Sequence, residues 1–107
     1  MARLEKLQAL LEMDPADSFT RYAIGLELAK AGKYEEAIRA LEELREQDPG
    51  YVPTYYMLAG YYHHTGDKES ATLIYKEGIA IAKIANDRHA QSELEAALDA
   101  IDDETEV

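Results

Sequence analysis

Residues Ser18–Tyr51 are followed by a second run with the same layout. A shift of 34 positions lays Ile24 on Leu58, Gly25 on Ala59, Leu28 on Tyr62, Gly32 on Gly66, Ala37 on Ala71 and Leu41 on Tyr75. A match at one fixed period of this size marks a stack of like units, each burying its apolar face against its neighbours. Stacks of this kind present an extended surface, so binding is the work the pattern points to.

Inside the copies the apolar residues recur at helical spacing. They predict helices over about 18–31, 34–47, 53–65 and 68–85. Asp17 and Ser18 are good N-caps, and Pro53 suits a first helical turn. Gly32 and Gly66 follow the first helix of each copy, where a left-handed residue ends it at low cost. Leu4, Leu7, Leu10, Leu11 and Met13 predict a further helix over 2–13. It ends at Asp14-Pro15, 34 positions before Asp48-Pro49, and so reads as the second half of a repeat. A last helix over about 88–101 follows a break at Asn86-Asp87 and carries one apolar stripe: Ala90, Leu94, Ala97, Leu98 and Ile101. Continuing the shift would put Ser92 and Glu93 in core slots. This helix therefore reads as a cap, with Glu95, Asp99 and Asp102 toward water.

The layout resembles the tetratricopeptide repeat (TPR) family, whose pattern is W-x2-L-G-x2-Y, then A-x3-F, then Pro. The first copy reads Arg21-x2-Ile24-Gly25-x2-Leu28, then Ala37-x3-Leu41, then Pro49; the second reads Tyr55-x2-Leu58-Ala59-x2-Tyr62, then Ala71-x3-Tyr75. Small residues at Gly25, Ala59, Ala37 and Ala71 let paired helices approach closely. Three positions depart from the pattern. Arg21 stands in the Trp slot, Leu44 stands where the second copy has Gly78, and Lys83 replaces the closing Pro. The first two imply local repacking, the third a helix that runs past its usual stop. The resemblance, to a small TPR protein of bacterial type, implies an all-α fold: an α-α superhelix of about six antiparallel helices. The whole chain, 1–107, is expected to be one domain. Its parts are a half repeat (1–15), two full copies (18–51 and 52–85), a cap (88–101) and a frayed acidic tail (102–107).

In this family the first helix of each pair lines a concave groove. The resemblance therefore implies groove positions at Phe19, Tyr22, Leu26 and Lys30 in the first copy, and at Tyr56, Gly60 and His63 in the second. Phe19, Tyr22, Leu26 and Ala29 form a stripe apart from the inward Ile24-Gly25-Leu28 face. Tyr55, Tyr56, Tyr61 and Tyr62 are too widely spread for one buried face, so some of these rings must face beyond their own hairpin. One TPR subclass grips acidic C-termini with Lys and Asn in the groove. Tyr22, Leu26, Tyr56 and Gly60 fill the matching slots here, so that role is not expected.

Composition narrows the chemistry. With no Cys, thiolate metal sites, disulfides and Cys nucleophiles are excluded. His63 and His64 are adjacent and point about 100° apart on a helix, so they cannot chelate one ion together. His63 with Asp67, or His89 with Glu93, supplies only two ligands, too few for zinc. No phosphate-binding loop or catalytic triad is present. We expect no cofactor and no enzymatic activity. The net charge of −11 repels phosphate backbones and anionic lipid, so neither nucleic acid nor membrane is an expected partner. Arg3, Glu5, Lys6 and Glu12 interrupt any signal-peptide core, and a cytoplasmic location is expected. Thr105-Glu106-Val107 resembles a PDZ-recognised C-terminus, a three-residue match of little specificity. The expected function is a protein-interaction module that holds a short peptide or partner helix in an aromatic concave groove, as a monomer or weak homodimer. The alternative is a structural, self-associating repeat protein.

Overall fold

A computed structural model describes residues 2–105. Six helices follow in order: α1 (Arg3–Met13), α2 (Ser18–Lys30), α3 (Tyr34–Gln47), α4 (Pro53–His64), α5 (Lys68–Ile84) and α6 (Arg88–Thr105). No strand occurs among the described residues, and the all-α expectation holds.

The helix ends are written into the chain. The Asp17 carboxylate caps α2, accepting from the Phe19 N–H at 3.2 Å and the Thr20 hydroxyl at 2.6 Å. Asp67 accepts from the Ser70 N–H, and Asp87 from the Ala90 N–H, each at 3.0 Å. Three helices stop in one way. The N–H groups of Gly32 and Lys33, of Gly66 and Asp67, and of Asn86 and Asp87 turn back onto carbonyls of the last turn. In each pair the first residue is left-handed, with φ of 83°, 93° and 58°. Glycine takes that conformation freely and asparagine tolerates it, so Asn86 does the job of the two glycines. With Lys83 in place of a proline, α5 runs for 17 residues against 14 for α3.

The C-terminal end differs from expectation. A frayed tail from Asp102 is replaced by helix as far as Thr105; residues 106 and 107, with most of the Thr-x-Val match, lie outside the described residues. Acidic groups at a helix C-terminus oppose its dipole. Here Glu104 is held by His63 of α4 at 3.0 Å and Lys68 of α5 at 3.2 Å, which offsets that cost and fastens the last turn to the stack.

Each helix packs on its neighbours in sequence, and α2, α4 and α6 also touch one another in turn. They form the inner row. The outer helices α3 and α5 are tied through side chains, Arg45 of α3 reaching Glu77 of α5 at 2.9 Å; Arg45 also meets Glu42 of its own helix at 2.7 Å, and the Tyr62 hydroxyl of α4 donates to Glu42. An inner row of closely approaching helices and an outer row spanned by long side chains curve the stack, with α2, α4 and α6 on the concave side.

The main core runs from α2 to α6 and contains Leu41, Leu44, Tyr55, Leu58, Ile74, Leu94 and Ile101. A smaller cluster of Leu7, Ala23 and Ile24 joins α1 to α2, and Leu28 borders both. Two small residues set the closest approaches. A β-carbon added at Gly25 would lie 2.6 Å from Leu41, and one at Gly78 would lie 2.5 Å from the Tyr55 β-carbon. The close neighbour of Gly25 is thus Leu41, one turn beyond the fully buried Ala37.

Candidate functional site

The concave face holds two adjoining cavities that share Tyr56 and Met57 as a common wall. The first, about 420 Å³, lies between all three inner helices: Tyr22 of α2, Val52, Pro53, Tyr56 and Met57 around the start of α4, and Ala90 and Leu94 of α6, with Asp87, His89 and Glu93 at its edge. The second, about 260 Å³, is floored by Gly60 and walled by Tyr34, Tyr56, Met57, Tyr61 and His64. Their walls are mostly aromatic and aliphatic, with few polar groups, as in small concave binding sites generally.

Aromatic rings brace one another along this face. Tyr22 meets Tyr51 edge-on with centroids 5.9 Å apart. Tyr34 meets Tyr61 edge-on at 5.7 Å and stacks on His64 at 4.1 Å. Tyr56 leans on Tyr75 at 6.3 Å and remains 44% exposed, the most open of these tyrosines. Burial raises the Tyr22 hydroxyl above its ordinary value, with Tyr51 adding to the effect. Burial, then Tyr22 and Tyr34, push Tyr61 up to about 12. These phenols are therefore neutral hydrogen-bonding groups at physiological pH.

The structure separates the residues that the repeat pattern singled out. Tyr22, Tyr56 and Gly60 border the cavities. Phe19, Leu26, Lys30 and His63 border neither. The reason is helical phase. At about 100° per residue, Tyr22 and Ala29 lie within about 20° of each other, while Phe19 and Leu26 share a line roughly 40–60° away. The stripe thus splits: Ala29 is buried in the core, Tyr22 is half-buried at the groove, and Phe19 is 62% exposed at the start of α2. Likewise His64 turns to Tyr34, and His63, one residue earlier, turns to Glu104.

Sequence reasoning missed Tyr34, Met57, Ala90 and Leu94, and flagged Tyr61 only as one of four tyrosines too widely spread for one face. One signal was available for Ala90 and Leu94. Ala90 stands 34 positions after Tyr56, and Leu94 stands 34 after Gly60, so α6 continues the groove lining although its core slots fail to repeat. Tyr34 opens the second helix of its copy, outside the positions that the pattern assigns to a groove. No group of three or more His, Asp or Glu among the described residues could hold a metal ion. None of the described helices is long and apolar enough to cross a membrane.

Known proteins share this architecture. The tetratricopeptide repeat profile matches residues 28–98. A TPR repeat-containing protein of Pseudomonas aeruginosa is 27% identical over 99 residues, covering 92% of this chain and 94% of its own. The crystal structure of a tetratricopeptide repeat domain protein from Salinibacter ruber is 36% identical and superimposes with a TM-score of 0.77, covering 80% of this chain and 96% of that one. PcrH, solved in complex with the chaperone binding region of PopD, has a TM-score of 0.87 at 19% identity, over 95% of this chain and 77% of its own.

Proposed function

Because the chain belongs to the tetratricopeptide repeat family, we propose that it is a non-enzymatic interaction module that takes a short peptide or partner helix on its concave face. The observation that carries this reading is the pair of adjoining apolar cavities, one across α2, α4 and α6 and one between α4 and the start of α3, joined at Tyr56 and Met57. A ring that is neither core nor isolated is a candidate anchor. Aromatic residues in such positions supply a large share of binding energy when a partner covers them. PcrH offers a precedent at the level of fold, since it was crystallised with a segment of another protein.

Affinity capture from the native lysate, run beside a Tyr56→Ala variant, tests the reading. Tyr56 is the better probe because Tyr22 is half-buried against Tyr51 and supports the core as well. The expected result is a partner retained by the unmodified protein and lost from the variant, with helical circular dichroism unchanged. Equal retention by both proteins would remove the concave face as the binding site.

A second reading, self-association, is favoured by a different observation: Leu10 is 52% exposed and Met13 83% exposed on α1, close in sequence to the exposed Phe19. Sedimentation at several concentrations separates the two. Self-association gives a mass that rises with concentration and falls back in a Leu10→Ser, Met13→Ser variant, whereas the groove reading gives one mass throughout.

A further inference from the structure

Charge around the concave face is one-sided. Among the described residues that border the two cavities are two carboxylates, Asp87 and Glu93, and no Lys or Arg. Asp87 accepts from the Ala90 N–H and so offsets the positive N-terminal end of α6. Glu93 pairs with the His89 ring nitrogen at 3.3 Å, and its side chain remains 52% exposed. The adjoining cavity adds the tyrosine rings of Tyr34, Tyr56 and Tyr61, a residue type whose faces attract cations. With the net charge at −11, the field over this face favours a positively charged occupant, while the apolar walls favour a large uncharged side chain.

We propose that the occupant is a peptide segment that pairs a large aliphatic or aromatic side chain with a nearby Arg or Lys. The apolar side chain seats between Tyr56 and Leu94, and the cation lies against Glu93 and Asp87. This rests on the reading of the concave face as a docking groove, and it adds the class of sequence recognised. It also gives the groove a polarity opposite to that of a site for acidic C-termini, which needs cations that this face does not carry.

The test is a selection of a short random-peptide library on the immobilised full chain at low salt, with dissociation constants of the selected peptides measured by fluorescence anisotropy. Four proteins are compared: the unmodified chain; Asp87→Asn with Glu93→Gln, in which asparagine can still cap α6; Glu12→Gln with Glu46→Gln, which removes two exposed carboxylates outside the cavity linings; and Tyr56→Ala. Selected peptides should carry Arg or Lys within one or two turns of a large apolar residue. Their affinity should fall about five- to tenfold in the Asp87/Glu93 variant, within the range for two exposed ion pairs. It should change less than twofold in the Glu12/Glu46 variant. Peptides that need Tyr56 but are neutral or acidic, or basic peptides weakened equally by both charge variants, would overturn the proposal and leave the groove standing. Selected peptides whose binding ignores Tyr56, or the absence of any selected peptide, would overturn the groove as well.

Discussion

Gly78 and Leu44 occupy the same place in successive repeats, and the residues facing that place explain the exchange. In the second copy the Trp slot holds Tyr55, which is fully buried, donates to the Pro49 carbonyl and occupies the space that a side chain at 78 would need. In the first copy the slot holds Arg21, which turns aside to the Pro15 carbonyl at 3.0 Å and Glu43 at 3.6 Å, and Leu44 is fully buried. Gly78→Ala should therefore destabilise by about 1–3 kcal/mol in urea denaturation, as overpacking does. Gly60→Ala, whose new carbon would meet nothing nearer than the Tyr75 hydroxyl at 3.9 Å, should stabilise by up to about 1 kcal/mol through helix propensity. Thr20 and Thr54 make a similar pair. The Thr20 hydroxyl donates to Asp17, but Tyr51 stands in the equivalent place of the second copy, and the buried Thr54 hydroxyl has no partner among the described residues. Thr54→Val should be neutral or stabilising, and Thr20→Val should cost about 1 kcal/mol, because only the second removes a hydrogen bond. Equal effects in the same denaturation assay would contradict this account.

At the scale of elements the two ends of the stack are unequal. The last helix puts Leu94 and Ile101 into the main core, each almost fully buried, and Leu94 also walls the larger cavity. The first helix buries only Leu7, in the small cluster with Ala23 and Ile24. Removing residues 88–107 should leave a chain without a cooperative melting transition. Removing residues 1–13 should lower the melting temperature and keep the transition cooperative. The reverse order would mean that the main core does not depend on α6. Both flanking helices were legible in the sequence from their apolar stripes and from the Asp-Pro pair that recurs at the repeat period. The length of α6 was not. Its last turn rests on Glu104 meeting His63 and Lys68, a contact between residues far apart in the chain that no local pattern encodes. His63 and His64 part for a related reason: a spacing rule fixes phase to about one residue, and one residue is about 100° of helix.

Across the whole molecule the tyrosines give a signature of the packed state. Burial pushes Tyr55, Tyr61 and Tyr62 up to about 12, with Glu77 adding to it at Tyr55, Tyr22 and Tyr34 at Tyr61, and the Glu42 hydrogen bond at Tyr62. A raised folded-state value means that the neutral phenol is favoured by folding. That contribution is complete below the ordinary value of 10.0 and is lost as pH rises through about 12. The urea midpoint should fall steadily across that window. Glu104 has the opposite sign. Its hydrogen bond to His63, and then Lys68, hold its carboxyl below the ordinary 4.5, so its support is lost only under acid conditions below that value. The curvature that makes a groove is likewise a property of the whole stack. Period and small residues identified the superhelix, but which rings face inward depends on how α2, α4 and α6 meet. The central claim is that a partner lies along that inner row. The direct measurement is a backbone-amide chemical-shift titration of the labelled full chain with a peptide selected on it. Shifts confined to the region of Tyr22, Tyr56–Gly60 and Ala90–Leu94 are the predicted result. Shifts centred on Leu73 and Glu77 of α5, or on α1, with the inner row unmoved, would contradict it.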